Sequence, residues 1–392
     1  MEDKIAKIYV ILTGGTICSV PDANGINHSD ASKVQSRLTK YYSEESDSEF
    51  RDSVKFKIKS LKHDILSENM TANVWGELLR IFREEIDYGD CRGIIVLHGT
   101  DTLAYTSAFL SFALAGIKVP VCMVSAHRRL GEYVNGEWVK DEDTNGYANF
   151  RAAVELIMNR IAANVYAVYR NEDNRESGTD GAEGFFVHYG AHLLQCPNSS
   201  NDFHSRYEMK IPDIKCAHLD GEESQTKDCL YKYVENVGGE VLMLRPYTNL
   251  KYSAVKLCRF GAVIHGTYHS ESVCIGRASD KARKGERAPD NYKLSDIVKK
   301  DKPYSILYLL KKCRRKNIPV FLAPCDEKNA RYGTTANARN AGALPIGSSD
   351  ITLEAAYAKA VLWFALKKEK PELKEFLGQE INFEFNLKKE NA

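Results

Sequence analysis

The chain lacks the patterns that would place it in several large functional classes. Its ten cysteines include no C-x-x-C pair, and its histidines show no ligand spacing. Both facts argue against a zinc site or a disulfide framework. The thiols are scattered, several inside apolar runs such as Pro120-Val-Cys-Met-Val124, and read as buried, reduced side chains. No apolar run approaches the roughly 18 residues that span a bilayer. The opening Met-Glu-Asp-Lys carries neither a cationic region nor a small-residue cleavage site. An excess of one charge is also missing: 54 Lys and Arg stand against 53 Asp and Glu. Such a balance supplies no field to hold nucleic acid or an anionic membrane surface. No internal repeat or low-complexity tract occurs. The expectation is a cytoplasmic chain in a reducing compartment, with a small-molecule partner, no nucleic acid, no membrane and no metal.

What is present is an ordinary globular composition, 43% hydrophobic and 27% charged, over 392 residues. That length exceeds what one growing core accommodates, so two domains are expected. Short β-branched runs at 7–12, 54–61, 93–97, 119–125, 164–168 and 184–187 alternate with helical patterns, the signature of parallel βα units. Trp75, Leu79, Phe82 and Ile86 recur at helical spacing behind Thr71, a candidate N-cap; Phe150, Val154, Ile157 and Ile161 form a second stripe. From about 205 to 238 the pattern becomes polar and strand-poor. Strand-like runs resume at 240–244, 261–265 and 318–322, with helices at 304–315 and 353–366. In the last helix Thr352 is a cap, and Leu353, Tyr357, Val361 and Phe364 share a face. The fold class read from this is α/β: a larger N-terminal domain (1–210) with a mainly parallel sheet flanked by helices, a linker region (211–238), and a smaller C-terminal α/β domain (239–392). Two inserts interrupt the scheme. Residues 128–143 hold an Asn-Gly hairpin signal, and the Arg/Lys-rich 277–302 reads as a solvated loop ahead of an anion-binding patch.

In parallel α/β sheets, ligands bind beyond the carboxyl ends of strands, where turns and helix N-termini present amide donors. Two polar motifs occupy such places: Leu12-Thr-Gly-Gly-Thr-Ile17 after the opening strand, and Leu97-His-Gly-Thr-Asp-Thr102 after the strand at 93–97. Singly, each is as well explained by a helix cap or a tight turn. Paired, some eighty residues apart, they resemble the double signature of bacterial-type L-asparaginases and glutaminases. The stretch His98-Gly-Thr-Asp-Thr-Leu-Ala-Tyr-Thr-Ser-Ala-Phe-Leu-Ser-Phe112 is similar to the cytoplasmic, type I branch. Ser67-Glu-Asn-Met-Thr71 falls where that branch has a substrate loop, and Tyr332-Gly-Thr-Thr-Ala-Asn-Ala-Arg-Asn-Ala-Gly-Ala-Leu344 resembles its closing segment.

The resemblance implies hydrolysis of a side-chain amide, of asparagine or a related small amide, through a threonine acyl-enzyme and without cofactor. On this chain it makes Thr16 the nucleophile and Thr100 with Asp101 the proton-handling group. Ser67 and Asp101 would grip the substrate's carboxylate and amino groups, with Glu68 beside them, while Gly15 and Gly99 leave backbone amides free for an oxyanion. It also implies a homodimer or homotetramer.

Three positions depart from the family pattern. Where a lysine is expected, the chain offers Gln195 or, with a one-residue shift, Leu194. The mobile loop after Thr16 has Ile26 in place of a tyrosine, with Tyr41 and Tyr42 the nearest substitutes in sequence. The C-terminal domain presents His269 where an asparagine is usual; it is either an ordinary histidine or a replacement base. The alternative is therefore an amino-acid-binding homologue without turnover. A third reading, the asparaginase-like subunit of a tRNA-dependent amidotransferase, has less support, because twelve residues precede Thr13 and no basic excess exists.

Overall fold

The computed structural model describes residues 5–171, 185–206, the backbone of Glu208–Ile211, 229–284 and 291–385, with positions 23, 199, 327, 329 and 368 aside. The chain divides into two compact units, Met1–Val237 and Gly238–Ala392. The polar run 220–228, most of the expected linker and part of the 277–302 insert lie outside the described residues.

The first unit is built on seven strands: β1 (Ala6–Gly14), β2 (Val54–Ile65), β3 (Gly93–Leu97), β4 (Val121–Val124), β5 (Val165–Arg170), β6 (Phe185–Tyr189) and β7 (Glu208–Ile211). Their order across the sheet is β7-β6-β5-β4-β3-β1-β2. The five strands from β5 to β2 run parallel, and β6 and β7 add antiparallel edges. β3 and β4 are buried along their whole length, as continuous apolar runs covered on both faces should be. β7 lies in the stretch read as strand-poor: its four residues lack an apolar run and pair only with β6, so periodicity gave no warning.

Four helices pack on this sheet: α1 (Ala31–Lys40), α2 (Ala72–Glu84), α3 (Leu103–Ala113) and α4 (Gly146–Met158). The expected stripe of α2 is buried at Trp75, Leu79 and Phe82, with the Trp75 ring stacked on Phe109 at 4.4 Å. Thr71 sits at the N-cap but makes no side-chain cap bond. α4 buries Phe150, Val154 and Ile157, and Ile161 is buried just past its end. The Asn-Gly signal forms its hairpin, Gly131–Val134 against Glu137–Lys140, with Asn135 and Gly136 both at positive φ.

The second unit holds four parallel strands in sequential order: β8 (Val241–Leu244), β9 (Ala262–Gly266), β10 (Val320–Ala323) and β11 (Leu344–Pro345). α5 (Ile306–Arg314) begins two residues later than expected because Ser305 caps it, accepting from the Leu307 amide at 3.2 Å. α6 (Gly333–Asn340) follows, and α7 (Leu353–Ala365) is capped by Thr352, which accepts from Ala355 N–H at 3.0 Å. α7 is buried nearly all round and does not present the single stripe the spacing suggests. Its Lys359 is fully enclosed and pairs with the equally enclosed Glu384. Arg277 in the basic insert forks onto Asp301 at 2.7 and 3.0 Å. Among the described residues no helix is long and apolar enough to cross a membrane, and no cluster could hold a metal ion. The nine described cysteines are free; Cys258 is exposed, against the expectation of burial, whereas Cys18, Cys122, Cys229, Cys313 and Cys325 are buried.

Candidate active site

Strand order fixes where a ligand can sit in the first unit. The chain runs from β1 outward to β2, then returns to the other side of β1 to lay down β3, β4 and β5. The connections after β1 and β3 therefore leave in opposite directions and open a crevice at their carboxyl ends, the switch point of a 2-1-3-4-5 sheet. Both threonine motifs are those connections.

After β1 the backbone turns through Gly14 (φ 116) and Gly15 (φ 82, ψ −176) into the 3-10 turn Thr16–Cys18. Against the expectation that its amide is free for an oxyanion, Gly15 donates its N–H to Ile65 O at 2.8 Å, because the turn folds back on the end of β2; its carbonyl accepts from Cys18 N–H and the Ser19 hydroxyl at 2.9 and 2.8 Å. A Cβ on Gly15 would overlap the backbone of Gly99. Glycine is thus required twice there, by conformation and by contact. Two residues upstream, the Thr13 hydroxyl donates to Leu97 O at 2.8 Å and ties the ends of β1 and β3 together.

The second turn is held from behind. His98 is fully buried, and burial lowers its pKa to about 4, so the ring is neutral at working pH. Nδ1–H donates to Gly99 O at 2.7 Å, which fixes the tautomer and leaves Nε2 as an acceptor. The Ser125 hydroxyl donates to His98 O from the end of β4. Gly99 lies against the buried Ser67: a Cβ there would stand 2.6 Å from Ser67 Cβ and 2.9 Å from Gly15 Cα. The chain then makes the 3-10 turn Thr100–Thr102 and enters α3.

Ser67 joins the two turns. Its hydroxyl donates to Asp101 Oδ2 at 3.2 Å and accepts from the Asp101 amide at 3.3 Å, while Thr102 Oγ1 donates to Ser67 O at 2.8 Å. Asp101 is exposed, Thr16 and Thr100 are half-buried, and Glu68 is exposed beside Ser67 in the turn Ser67–Asn69. The result places the half-buried Thr16 and Thr100 and the exposed Asp101 on adjacent turns at the carboxyl ends of β1 and β3.

A fourth segment reaches the same point. After β6 the 3-10 turn Gly190–His192 lies close on α3, where a Cβ on Gly190 would stand 2.7 Å from Ser107 O. The chain then presents Gln195, whose Nε2–H donates to Asp101 O at 2.8 Å. Of the two residues proposed for the missing lysine, Gln195 is the one in contact with the turn; the Leu194 amide is occupied by His204 O at 2.9 Å. Cys196 follows, its thiol donating to Ser200 O and Asp202 O at 3.1 and 3.3 Å. Burial, with Asp202 and Asp101 nearby, raises its pKa.

Gly15, Thr16, Ser67, Gly99, Thr100, Asp101 and Gln195 thus converge. Ile26 does not: it is 58% exposed at the tip of the hairpin Ser19–Pro21 with Asn27–Ser29, where Asp22 Oδ1 accepts from the Asn24 and Ile26 amides at 2.9 Å each. Neither tyrosine substitutes for it. Tyr42 is buried with its hydroxyl on Ser48 at 2.8 Å, and Tyr41 packs on Tyr147 with centroids 4.7 Å apart. His269 belongs to the second unit, exposed in a turn closed by Tyr268 N–H on Ser272 O at 2.9 Å. Thr13, His98 and Ser125 brace the crevice and were given no role from sequence. The available signal was polar residues terminating otherwise apolar strands.

Residues 7–193 match the family model described as "Asparaginase, N-terminal". The chain is 38% identical over 125 residues to the glutamyl-tRNA(Gln) amidotransferase D subunit of Methanosarcina barkeri, covering 32% of this chain and 27% of that one. Against its counterpart in Methanococcus maripaludis it is 28% identical over 261 residues, covering 64% and 56%. The chain thus spans between about a quarter and a little over half the length of these relatives. Among solved structures, the thermostable L-asparaginase from Thermococcus kodakarensis superposes with a TM-score of 0.67 at 17% identity over 97% of this chain and 100% of that one. L-asparaginase I from Vibrio cholerae gives 0.63 at 19% identity over 97% and 99%. At such identities the superpositions speak for the fold alone. The chain is thus similar to an asparaginase N-terminal domain over residues 7–193, to archaeal amidotransferase D subunits over part of its length, and to L-asparaginases in fold over nearly all of it.

Proposed function

We propose that the first unit is an asparaginase-type amidohydrolase of the type I kind, acting on L-asparagine or a related small amide. Thr16 Oγ attacks the amide carbon, the amide nitrogen leaves as ammonia, and water then releases the acid from Thr16. With the Gly15 N–H already donated to Ile65 O, the oxyanion is met by other backbone N–H groups of the two turns. Asp101 pairs with the substrate's ammonium group, and Ser67 and Thr100 complete the polar lining. The observation that carries this reading is the direct backbone contact of Gly15 with Gly99, which sets the two threonine turns side by side at the switch point. Intact-mass spectrometry tests it: a diazoketone analogue of asparagine should add one mass equivalent to the wild type and none to Thr16→Ala. An equal adduct on both removes Thr16 from the role.

Gln195 supports a second reading, an amino-acid-binding homologue without turnover, because a carboxamide beside Asp101 accepts no proton near neutral pH. Calorimetry separates the two: binding of asparagine without continuing heat of reaction favours the binder. The name of the curated relatives adds a partner-dependent reading, in which the chain serves an amidotransferase; co-purification with further subunits tests it. The expected homodimer or homotetramer, in a cytoplasmic setting, is checked by light scattering and fractionation.

A further inference from the structure

We infer that Gln195 is a positioning residue for Asp101: its carboxamide clamps the Asp101 peptide and so sets where the carboxylate meets the substrate's amino group. The inference rests on the amidohydrolase reading of the same crevice. Asp101 is gripped at both its backbone groups, its N–H by Ser67 Oγ at 3.3 Å and its carbonyl by Gln195 Nε2 at 2.8 Å. Ser67 also holds the carboxylate itself, at 3.2 Å. The Gln195 amide has no competing attachment: its oxygen is enclosed and has no hydrogen-bond partner among the described residues. A carbonyl partner also settles which end of the amide is nitrogen.

The segment that carries Gln195 is itself fixed. Leu193 bridges Ser205, the Leu194 amide bonds His204 O, and the Cys196 thiol closes the following loop onto Ser200 and Asp202. Asn171 secures Phe203 through paired bonds of 2.9 and 3.0 Å. A side chain on so constrained a backbone has a narrow reach, and within it lies the Asp101 carbonyl. The chemistry required there is a donor, not a base. Glutamine supplies the donor without titrating, so the clamp holds across the pH range in which the protein is folded.

Three variants separate a donor from a base and from mere bulk: Gln195→Met, which keeps length without a donor; Gln195→Lys, which restores a donor; and Gln195→Glu, which sets an acceptor against a carbonyl. Steady-state kinetics on asparagine and on succinamate, which lacks the amino group, should show KM for asparagine raised about tenfold in Gln195→Met, the equivalent of one buried hydrogen bond left unmade. The same variant should leave KM for succinamate within roughly twofold, and Gln195→Lys should recover most of the loss. Gln195→Glu should be the worst of the three. Unchanged KM for asparagine in Gln195→Met, or equal losses on both substrates, overturns the assignment. If the wild type is silent on every amide, the amidohydrolase reading fails and the clamp is read by hydrogen–deuterium exchange over residues 98–105. Gln195→Met should speed exchange there and Gln195→Lys restore it; identical exchange in all forms overturns the clamp.

Discussion

Substituting Gly15 by alanine tests the geometry of the crevice with the least chemical change. Two costs combine. Gly15 sits at φ 82 and ψ −176, a region open in practice only to glycine, and a side chain held there costs about 1–3 kcal/mol. The new Cβ also meets the Gly99 backbone, which cannot rotate away as a side chain would; overpacking of that kind costs roughly 1–3 kcal/mol more. The sum, about 2–6 kcal/mol, is large against the roughly 5–15 kcal/mol by which domains are stable. The fold can relieve it only by separating the ends of β1 and β3, where Thr13 ties them, and separation displaces Thr16 from Thr100. A displacement of about 1 Å in a reacting group costs on the order of 10²-fold in rate. Gly25→Ala is the control, because Gly25 also has positive φ (77) but nothing within 4 Å of a Cβ, so only the backbone cost of about 1–2 kcal/mol remains. Urea unfolding and ammonia release on the two variants decide the matter. A Gly15→Ala protein as stable and as active as Gly25→Ala would refute the proposed contact between the turns.

Burial holds His98 and His265 at about 4 and His188 at about 3, below the ordinary histidine value, so the unfolded chain takes up protons first as pH falls. Their contribution is complete above the ordinary value near 6.5 and is lost as pH drops toward 4. Each should cost roughly 2 kcal/mol by pH 5, read as a lower urea midpoint at pH 5 than at pH 7. Lys359→Met should destabilise the protein by about 3–5 kcal/mol by stranding the Glu384 carboxylate; adding Glu384→Gln, which still accepts from the Ile381 and Asn382 amides, should recover most of it in thermal melts. Thr352→Ala should cost about 1 kcal/mol through the lost cap on α7, seen in the same melts.

The parts legible in the sequence are those that local pattern controls. β3 is a five-residue apolar run ending in a polar motif, and its bounds are as read. The Asn-Gly turn carries its own conformational signature and formed its hairpin. The two threonine turns could be placed at strand ends, and strand order then brought them together. Features that depend on distant partners were not legible. β7 is a strand only because β6 offers it an edge, and α7 is buried all round because the 379–385 segment covers it, with Lys359 donating to Gln379 O and Glu384. That Gln195 bonds the Asp101 turn depends on a long-range contact of 2.8 Å that no spacing reveals. Tyr41 and Tyr42 are near the loop in sequence but are drawn into aromatic packing with Tyr147, Phe56 and Phe150. His98 lies inside the motif, yet its role as a neutral brace depends on full burial, which no spacing reveals.

The most direct test of the central claim is ammonia release from a panel of L- and D-asparagine, glutamine, and β-aspartyl or N-substituted amides, with wild type beside Thr16→Ala and Thr100→Ala. Turnover of at least one amide by the wild type, lost in both variants while their melting temperatures hold, is the predicted result. Silence of the wild type across the panel, or turnover that survives Thr16→Ala, would contradict it.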